Sequence, residues 1–345
     1  MKPPSIKDIA HALDISIGTV DRALHGRAGI SPTTCARVLK KAEQLGYRPN
    51  IAARSLKLNR RLRIGAYFPE QIASFFDPLR AGVRAAASAV VGVNLDIVFR
   101  SFPRLDEGDL ELLRSDSARH FDGILMTPGN PKRIETPLRA FARKGVPIIC
   151  VASDAPLSER LAAVTVDAYA SGAIAAELFS RTISKAGHLA TITGDLGTLD
   201  HAEKLRGLAA NLAVYAPRLT LLPAIESHES TKEAYRRAKK LLAHTPYPLG
   251  IYISTANSLP VLRALEEKGL LGEVEVIATD VFPELFPFIE SGKILATLDQ
   301  RPFTQGRTAL ELLLRYLIHG TVPQSVTRIA PHIVLRSNLG LLSKS

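Results

Sequence analysis

Tryptophan is absent from this chain of 345 residues, and cysteine occurs only twice. Cys35 and Cys150 stand far apart and without Cys-x-x-Cys spacing, so the sequence predicts neither a disulfide framework nor a zinc site. No apolar run reaches the roughly 18 residues that a transmembrane helix needs. The opening MKPPSIKDIA lacks the apolar segment of a secretory signal. We therefore expect a cytoplasmic protein that does not enter a membrane.

Positive charge is concentrated at the N-terminal end. The chain carries a formal net charge of +11, and residues 1–61 hold 12 Lys or Arg against 4 acidic residues, a local net charge of +8. A localised excess of this size is typical of a segment that binds a polyanion. The remainder is nearly neutral and apolar enough to fold, and the length predicts two or three domains.

Helix-end signals divide the basic segment into three short helices. Ser5, Ser16 and Ser31 each stand at a capping position, and Pro32 follows the third cap at the first helical position. The second helix is expected over Ile17–Leu24. Two short helices joined by a tight turn and followed by a third predict a helix-turn-helix, whose second helix enters the major groove of DNA. A three-helix packing module without a ligand is the alternative, and the concentrated charge disfavours it.

The N-terminal segment also resembles a known family. SIKDIAHALDISIGTVDRALHG (residues 5–26) resembles the LacI-type bacterial transcription regulators, with matches at Asp8, Thr19 and Arg22 among others. ISPTTCARVLKKAEQLGYRPNIAARSLK (residues 30–57) resembles the family's third helix, its Gly-Tyr-x-Pro-Asn turn and its hinge helix. Asp21 departs from the serine that is usual there. The resemblance implies a DNA-binding regulator and not an enzyme.

Predicted contacts to the bases fall in the second helix and in the hinge, and further contacts are predicted elsewhere in the N-terminal segment. Ile17, Gly18 and Arg22 project from the first turns of that helix, and Arg22 has the geometry to donate two hydrogen bonds to guanine. The resemblance implies that Leu56 wedges into the minor groove, with packing between domains as the alternative. N-capping alone is the alternative for Ser31. The full predicted set is Ser5, Ser16, Ile17, Gly18, Thr19, Arg22, Ser31, Thr34, Tyr47, Asn50, Ala53 and Leu56.

From residue 62 onward, short apolar runs alternate with helical stretches. The predicted strands are 64–68, 95–99, 123–127, 147–152, 189–193, 250–254, 274–279 and 294–299. This alternation predicts two doubly wound parallel-sheet lobes. The expected division is a helix-turn-helix domain at 1–49, a hinge helix and linker at 50–62, an N-terminal lobe at 63–165 and 301–325, and a C-terminal lobe at 166–300 and 326–345.

This α/β body resembles the periplasmic sugar-binding proteins of the ribose-binding type, which form the effector domain of LacI-type regulators. Ligands of such folds bind at the carboxyl ends of strands, in the cleft between halves. The resemblance implies aromatic stacking on a sugar ring and polar bonds to its hydroxyls, although a Phe-Phe pair is also common in a core. Lys204 stands where the family has arginine, so Arg206 or His201 is expected to share its role. The predicted ligand-binding set is Phe75, Phe76, Asp154, His201, Lys204, Arg206, Asn257, Asp280 and Gln300.

Together these observations predict a transcription regulator, and specifically a repressor. It is expected to bind a near-palindromic double-stranded DNA operator as a homodimer and to respond to a small sugar or cyclitol. No cofactor and no metal site is predicted, because Asp200 and His201 alone offer too few ligands for zinc. The alternatives are a sugar-binding protein of transport type, a regulator that responds to a purine or another small molecule, and an enzyme acting on a sugar.

Overall fold

The computed structural model describes residues 6–24, 29–45, 61–117 and 119–342. Three helices form the N-terminal domain: α1 (Ile6–Leu13), α2 (Ile17–Leu24) and α3 (Pro32–Gln44). Their small core is Ile9, Ala10, Val20, Ala23, Val38 and Ala42. The Ser16 hydroxyl accepts the Thr19 amide and the Ser31 hydroxyl accepts the Thr34 amide, both at 3.1 Å. These two bonds satisfy amides that a helix start leaves without partners.

The first lobe begins with a buried strand and alternates strands with helices. Its elements are β1 (Leu62–Pro69), α4 (Ala73–Ala89), β2 (Leu95–Phe102), α5 (Asp109–Ser115), β3 (Gly123–Met126), α6 (Pro131–Arg143), β4 (Ile148–Val151) and β5 (Ala162–Val166). The short strands Gly123–Met126 and Ile148–Val151 are buried along their whole length. Continuous apolar strands of this kind are expected where helices cover both faces of a sheet.

The second lobe repeats the same alternation. Its elements are α7 (Ala168–Thr182), β6 (Gly187–Thr193), α8 (Leu199–Tyr215), β7 (Leu219–Leu221), β8 (Ile225–Glu226), α9 (Thr231–Leu241), β9 (Gly250–Ile253), α10 (Leu259–Glu267), β10 (Glu275–Thr279), a 3₁₀ turn (Pro283–Leu285), α11 (Phe286–Glu290) and β11 (Ala296–Asp299). The chain then returns to the first lobe through α12 (Pro302–His319). It ends with β12 (Val326–Ile329), β13 (His332–Val334) and α13 (Leu339–Leu342).

Each lobe contains one mainly parallel sheet. The strand orders are β12-β5-β4-β3-β1-β2 in the first lobe and β13-β11-β10-β9-β6-β7 in the second, where β8 also pairs with β6 and β13 runs antiparallel to β11. The predicted architecture of N-terminal helices followed by two parallel-sheet lobes is confirmed. In the described part of the chain, no helix is both long and apolar enough to cross a membrane.

One predicted boundary is wrong. The sequence interpretation assigned 326–345 to the second lobe, but β12 pairs with β5 in the first sheet, with Val326 opposite Ala163 and Ile329 opposite Val166. The chain's final crossing to the second lobe therefore lies between β12 and β13. Backbone pairing decided this placement, and apolar patterning carries no information about which sheet a short strand joins.

Glycine allows two helices of the second lobe to pack very closely. A Cβ built on Gly172 of α7 would lie 1.9 Å from the Lys204 carbonyl oxygen of α8, and one on Gly207 would lie 2.1 Å from the Tyr169 carbonyl oxygen. Only residues without a Cβ permit this approach. The contact fixes the position of α8, which carries much of the cleft described next.

Candidate ligand cleft and DNA-contact helix

A cavity opens between the two lobes at the carboxyl ends of their parallel strands. It holds about 470 Å³ of empty space, its mouth included. Phe75, Phe76, Thr127 and Ser153 line it from the first lobe, and Asp200, His201, Lys204, Glu229, Thr255 and Gln300 line it from the second. Thr127 follows β3 directly and Gln300 follows β11 directly, as expected for a doubly wound fold.

Phe75 and Phe76 form the aromatic part of the cavity's apolar wall. The two rings pack edge to face, with centroids 4.9 Å apart and planes at 78°. Both stand in the first turn of α4 and join the first lobe's core, with 6% and 3% of their surface exposed. The pair therefore contributes to the core and also offers aromatic surface to the cavity, as ligand sites in proteins commonly do.

Three polar side-chain atoms at the cavity are buried without a hydrogen-bond partner in the described part of the chain. They are Thr127 Oγ1 and Ser153 Oγ from the first lobe and Asp200 Oδ1 from the second. An unpaired buried polar group costs about 1–3 kcal/mol, so such groups are rare in folded proteins. A ligand with hydroxyl groups would satisfy all three, and it would bond to both lobes at once.

Lys204 is buried at the base of the cavity with 1% of its surface exposed. Its Nζ donates to Asp200 Oδ2 at 2.7 Å, to Gln300 Oε1 at 2.7 Å and to the Ser254 carbonyl at 3.3 Å. An ammonium group has three donors, so these acceptors use its full capacity. The spacing of Asp200 and Lys204 on α8 places both side chains on one helix face, which turns towards the cleft.

Asp280 lies behind Gln300 and does not line the cavity. Its carboxylate accepts the Gln300 amide N–H at 3.1 Å and the Gln300 side-chain Nε2 at 2.8 Å. Burial raises the pKa of Asp280 to about 7, with a further increase from Asp299 and opposing effects from Lys204 and Gln300. A chain of polar bonds thus runs from Asp280 through Gln300 and Lys204 to Asp200.

A second polar cluster centres on His201 and Glu229. His201 Nε2 lies 2.9 Å from Glu229 Oε1, and His201 Nδ1 lies 3.1 Å from the Thr193 hydroxyl. Thr255 donates to the other carboxylate oxygen of Glu229 at 2.5 Å. Gln71 of the first lobe donates through Nε2 to the Glu229 backbone carbonyl, so this loop also ties the two lobes together.

Four predicted ligand residues lie outside this inner cavity. Besides Asp280, Asn257 lines an adjoining outer cavity, and Asp154 and Arg206 line a neighbouring one beside β12. Asp154 is held by Arg160 at both oxygens, one contact measuring 2.6 Å. Arg206 is exposed, pairs with Glu203 and lies 4.4 Å from the Tyr169 ring centroid. The other five, Phe75, Phe76, His201, Lys204 and Gln300, do line the inner cavity.

Sequence reasoning did not assign Thr127, Asp200 or Glu229 to the site. Thr127 carries a usable signal, because it directly follows a buried strand. Asp200 was noticed only as a neighbour of His201. Glu229 follows β8, a strand of only two residues, and adopts a left-handed φ of 54° that no motif indicates.

Among the described residues, one group of side chains has the spacing of metal ligands: Asp195, Glu226 and His228, whose ligand atoms lie within 4.8 Å of one another. Backbone amides already bond to both carboxylates, from Gly197 to Asp195 at 2.7 Å and from Leu196 to Glu226 at 2.9 Å. We assign no metal to this cluster.

In the N-terminal domain, α2 buries one face and exposes the other. Val20 and Ala23 are buried, whereas Gly18 and Arg22 are exposed and Ile17 is 49% exposed. The hydroxyls of Thr19 and Thr34 lie 2.9 and 2.8 Å from those of the two capping serines. The predicted contacts Ser5, Tyr47, Asn50, Ala53 and Leu56 lie outside the described residues.

Comparison with known proteins agrees with this architecture. Residues 64–321 match the family described as "Periplasmic binding protein domain", and residues 5–50 match "Bacterial regulatory proteins, lacI family". The chain is 25% identical to catabolite control protein A of Priestia megaterium, over 97% of this chain and 98% of that protein. It is 25% identical to the ribose operon repressor of Bacillus subtilis (strain 168), over 90% of each.

A solved structure shows the same fold for the body. A solute-binding protein of an ABC transporter from Burkholderia graminis C4D1M, crystallised with D-arabinose, superposes with a TM-score of 0.73 at 23% identity, covering 81% of this chain and 96% of that one. The chain belongs to the periplasmic binding protein domain family. With its matching N-terminal domain, it is a LacI-family transcriptional regulator.

Proposed function

We propose that this regulator is a repressor whose affinity for a DNA operator is controlled by a small sugar or cyclitol bound between the two lobes. The observation that carries the proposal is a set of three buried polar atoms near Phe75 and Phe76 that have no partner among the described residues: Thr127 Oγ1, Ser153 Oγ and Asp200 Oδ1. A carbohydrate matches this set, because its ring presents apolar C–H faces and its edge presents hydroxyls. Thr127 and Ser153 are able to donate or accept, and Asp200 to accept.

Because these atoms are divided between the two lobes, a ligand that binds them would change the balance between open and closed arrangements of the lobes. A ligand bonded to Thr127 and Ser153 on one side and to Asp200 on the other binds the closed arrangement of lobes better than an open one. A ligand shifts a conformational equilibrium only by such a difference in affinity. The related ribose operon repressor and the D-arabinose complex support a sugar as the ligand class for this chain.

On the DNA side, the exposed face of α2 presents Ile17, Gly18 and Arg22 to the major groove. We propose that two copies of the chain bind the two halves of a near-palindromic operator, because a two-fold symmetric protein requires two matching half-sites. The net charge of +8 in residues 1–61 supports binding to phosphates and predicts a steep loss of affinity with added salt.

Two measurements test the proposal. Selection from random duplex DNA identifies the operator, and thermal melting against free pentoses, hexoses and cyclitols identifies the ligand, because a ligand of the folded state raises the melting temperature. Ligand affinity is then measured with and without operator. The two affinities must differ, and operator affinity must change by the same factor when ligand is added. Equal ligand affinities in both conditions would refute control by ligand.

A further inference from the structure

We propose that the interlobe cleft excludes anionic ligands, so that its effector is a polyol without a phosphate or carboxylate group. In this proposal, Asp200 accepts a hydrogen bond from one hydroxyl of the ligand. This inference rests on the proposed function and narrows its ligand class. Three features of the cleft carry it: the bonding of Lys204, the free oxygen of Asp200 and the charges at the mouth.

Lys204 has no capacity left for an anion. Among the described residues it is the only lysine or arginine that lines the inner cavity, and its three donors already go to Asp200, Gln300 and the Ser254 carbonyl. A phosphate entering the cavity would have to displace a charge-assisted bond of 2.7 Å to Asp200. The positive charge at the base of the cavity is therefore paired with the carboxylate of Asp200 and is not available to a ligand.

Asp200 presents its remaining oxygen to the cavity. Oδ2 is held by Lys204, whereas Oδ1 is buried and has no partner in the described part of the chain. An ionised carboxylate only accepts hydrogen bonds. Asp200 Oδ1 therefore attracts a ligand hydroxyl and repels the oxygens of a phosphate or carboxylate, which are also acceptors.

A second interlobe cavity shares Leu105, Thr198, His201 and Glu229 with the inner one, and we call it the mouth of the cleft. This mouth is acidic, in contrast to the chain as a whole. Among the residues that the structure describes, four carboxylates line it, and Arg104 is its only lysine or arginine. Arg104 pairs with Glu107 at 2.5 Å, and His228 lies 3.4 Å from Asp195. The side chain of Arg133 neutralises a third acid, Asp106, at 2.8 Å. The fourth, Glu229, lies against His201 at 2.9 Å. Each basic group named here has an acidic partner, so an arriving anion meets no free positive charge among the described residues of the mouth.

The test is calorimetric titration of the full-length protein with matched pairs of probes. The probes are free pentoses, hexoses and myo-inositol, each paired with its monophosphate. We expect the free compound that binds to do so at least 100-fold more tightly than its phosphate. Asp200→Asn should weaken the free compound about tenfold or more, because a charge-assisted bond is lost. Asp200→Asn should also reduce the ratio between the affinities for the free compound and for its phosphate, because Lys204 then has no carboxylate partner.

Glu203→Gln is the matched control. Glu203 stands on the same helix and also pairs with a cation, Arg206, at 2.5 Å, but it does not line the inner cavity. We expect its affinities for both members of each probe pair to equal those of the unchanged protein. A second measurement needs no variant: added salt screens the acidic mouth, so it should strengthen phosphate binding relative to the free compound.

The outcomes separate this inference from the proposed function. Equal or tighter binding of a phosphate by the unchanged protein overturns the anion exclusion and leaves ligand control standing. An Asp200→Asn protein that melts normally and keeps the full preference for the free compound overturns the role of Asp200. Absence of binding by every free compound overturns both proposals. Binding that leaves operator affinity unchanged overturns only the regulatory proposal.

Discussion

Replacing Lys204 by methionine tests the central polar network of the cleft. Methionine has a similar length and no charge, so Lys204→Met removes three hydrogen bonds while largely filling the same space. It leaves Asp200 Oδ2, Gln300 Oε1 and the Ser254 carbonyl without their donor at a site that is 1% exposed. Breaking a buried ion pair by removing one partner costs about 3–5 kcal/mol. Lys204→Met should therefore lower the free energy of unfolding by that amount.

Chemical denaturation followed by circular dichroism measures this loss. The matched control is Arg206→Met on the same helix, where the lost ion pair with Glu203 is exposed to solvent. An exposed pair contributes about 0–1 kcal/mol. The double variant with Asp200→Asn should lose less than the sum of the two single losses, because both remove the same bond. A loss below about 1 kcal/mol for Lys204→Met would refute the buried network.

Four further outcomes are expected. Arg22→Ala should cost about 1–3 kcal/mol of operator affinity and relax one base preference in a binding-site selection; an equal loss on all sequences would make Arg22 a phosphate contact. Gly18→Ala should raise the melting temperature of the N-terminal domain. A Cβ at this position would meet side-chain atoms no nearer than 3.8 Å, and alanine is more favourable than glycine within a helix by about 0.5–1 kcal/mol. If Gly18→Ala leaves operator affinity unchanged, Gly18 is not a DNA contact. Since burial raises the pKa of Asp280 from 3.8 to about 7, its contribution to stability is complete below pH 3.8 and is lost as the pH rises through 7; unfolding titrations should show this fall, and Asp280→Asn should abolish it. Gly172→Ala should destabilise the second lobe by at least about 1–3 kcal/mol, because the new Cβ would lie 1.9 Å from the Lys204 carbonyl oxygen; an unchanged melting curve would contradict that contact.

Patterns among neighbouring residues were sufficient to predict those elements whose structure depends only on neighbouring residues. The range Ile17–Leu24 was predicted for α2 and is observed, because the Ser16 cap and the apolar stripe act within one turn of the helix. Most predicted strands of the body are also present, since each is a short apolar run bounded by turns. The prediction missed β5 (Ala162–Val166), whose two alanines weaken the strand signal, and also the short strands β7, β8, β12 and β13.

In the candidate site, too, the positions of some residues were predictable from the sequence, whereas their contacts were not. Phe75, His201, Lys204 and Gln300 were placed in the cleft by resemblance and do line it. Their bonding partners were not predictable, because a contact such as Lys204 to Gln300 joins residues 96 positions apart. Asp154 illustrates the opposite case: it follows a strand end as expected, yet Arg160 holds both of its oxygens.

The sequence alone determined the class of molecule: a basic helical head on a two-lobe α/β body, because helix caps, apolar periodicity and charge are properties of neighbouring residues. The tertiary structure decided which polar groups remain available to a ligand. The three donors of Lys204 bond to Asp200, Gln300 and Ser254. Thr127, Ser153 and Asp200 each keep one buried polar atom without a partner in the described part of the chain. Hydrogen-bonding capacity is finite, so the chemistry of the cleft depends on which groups the fold has already paired.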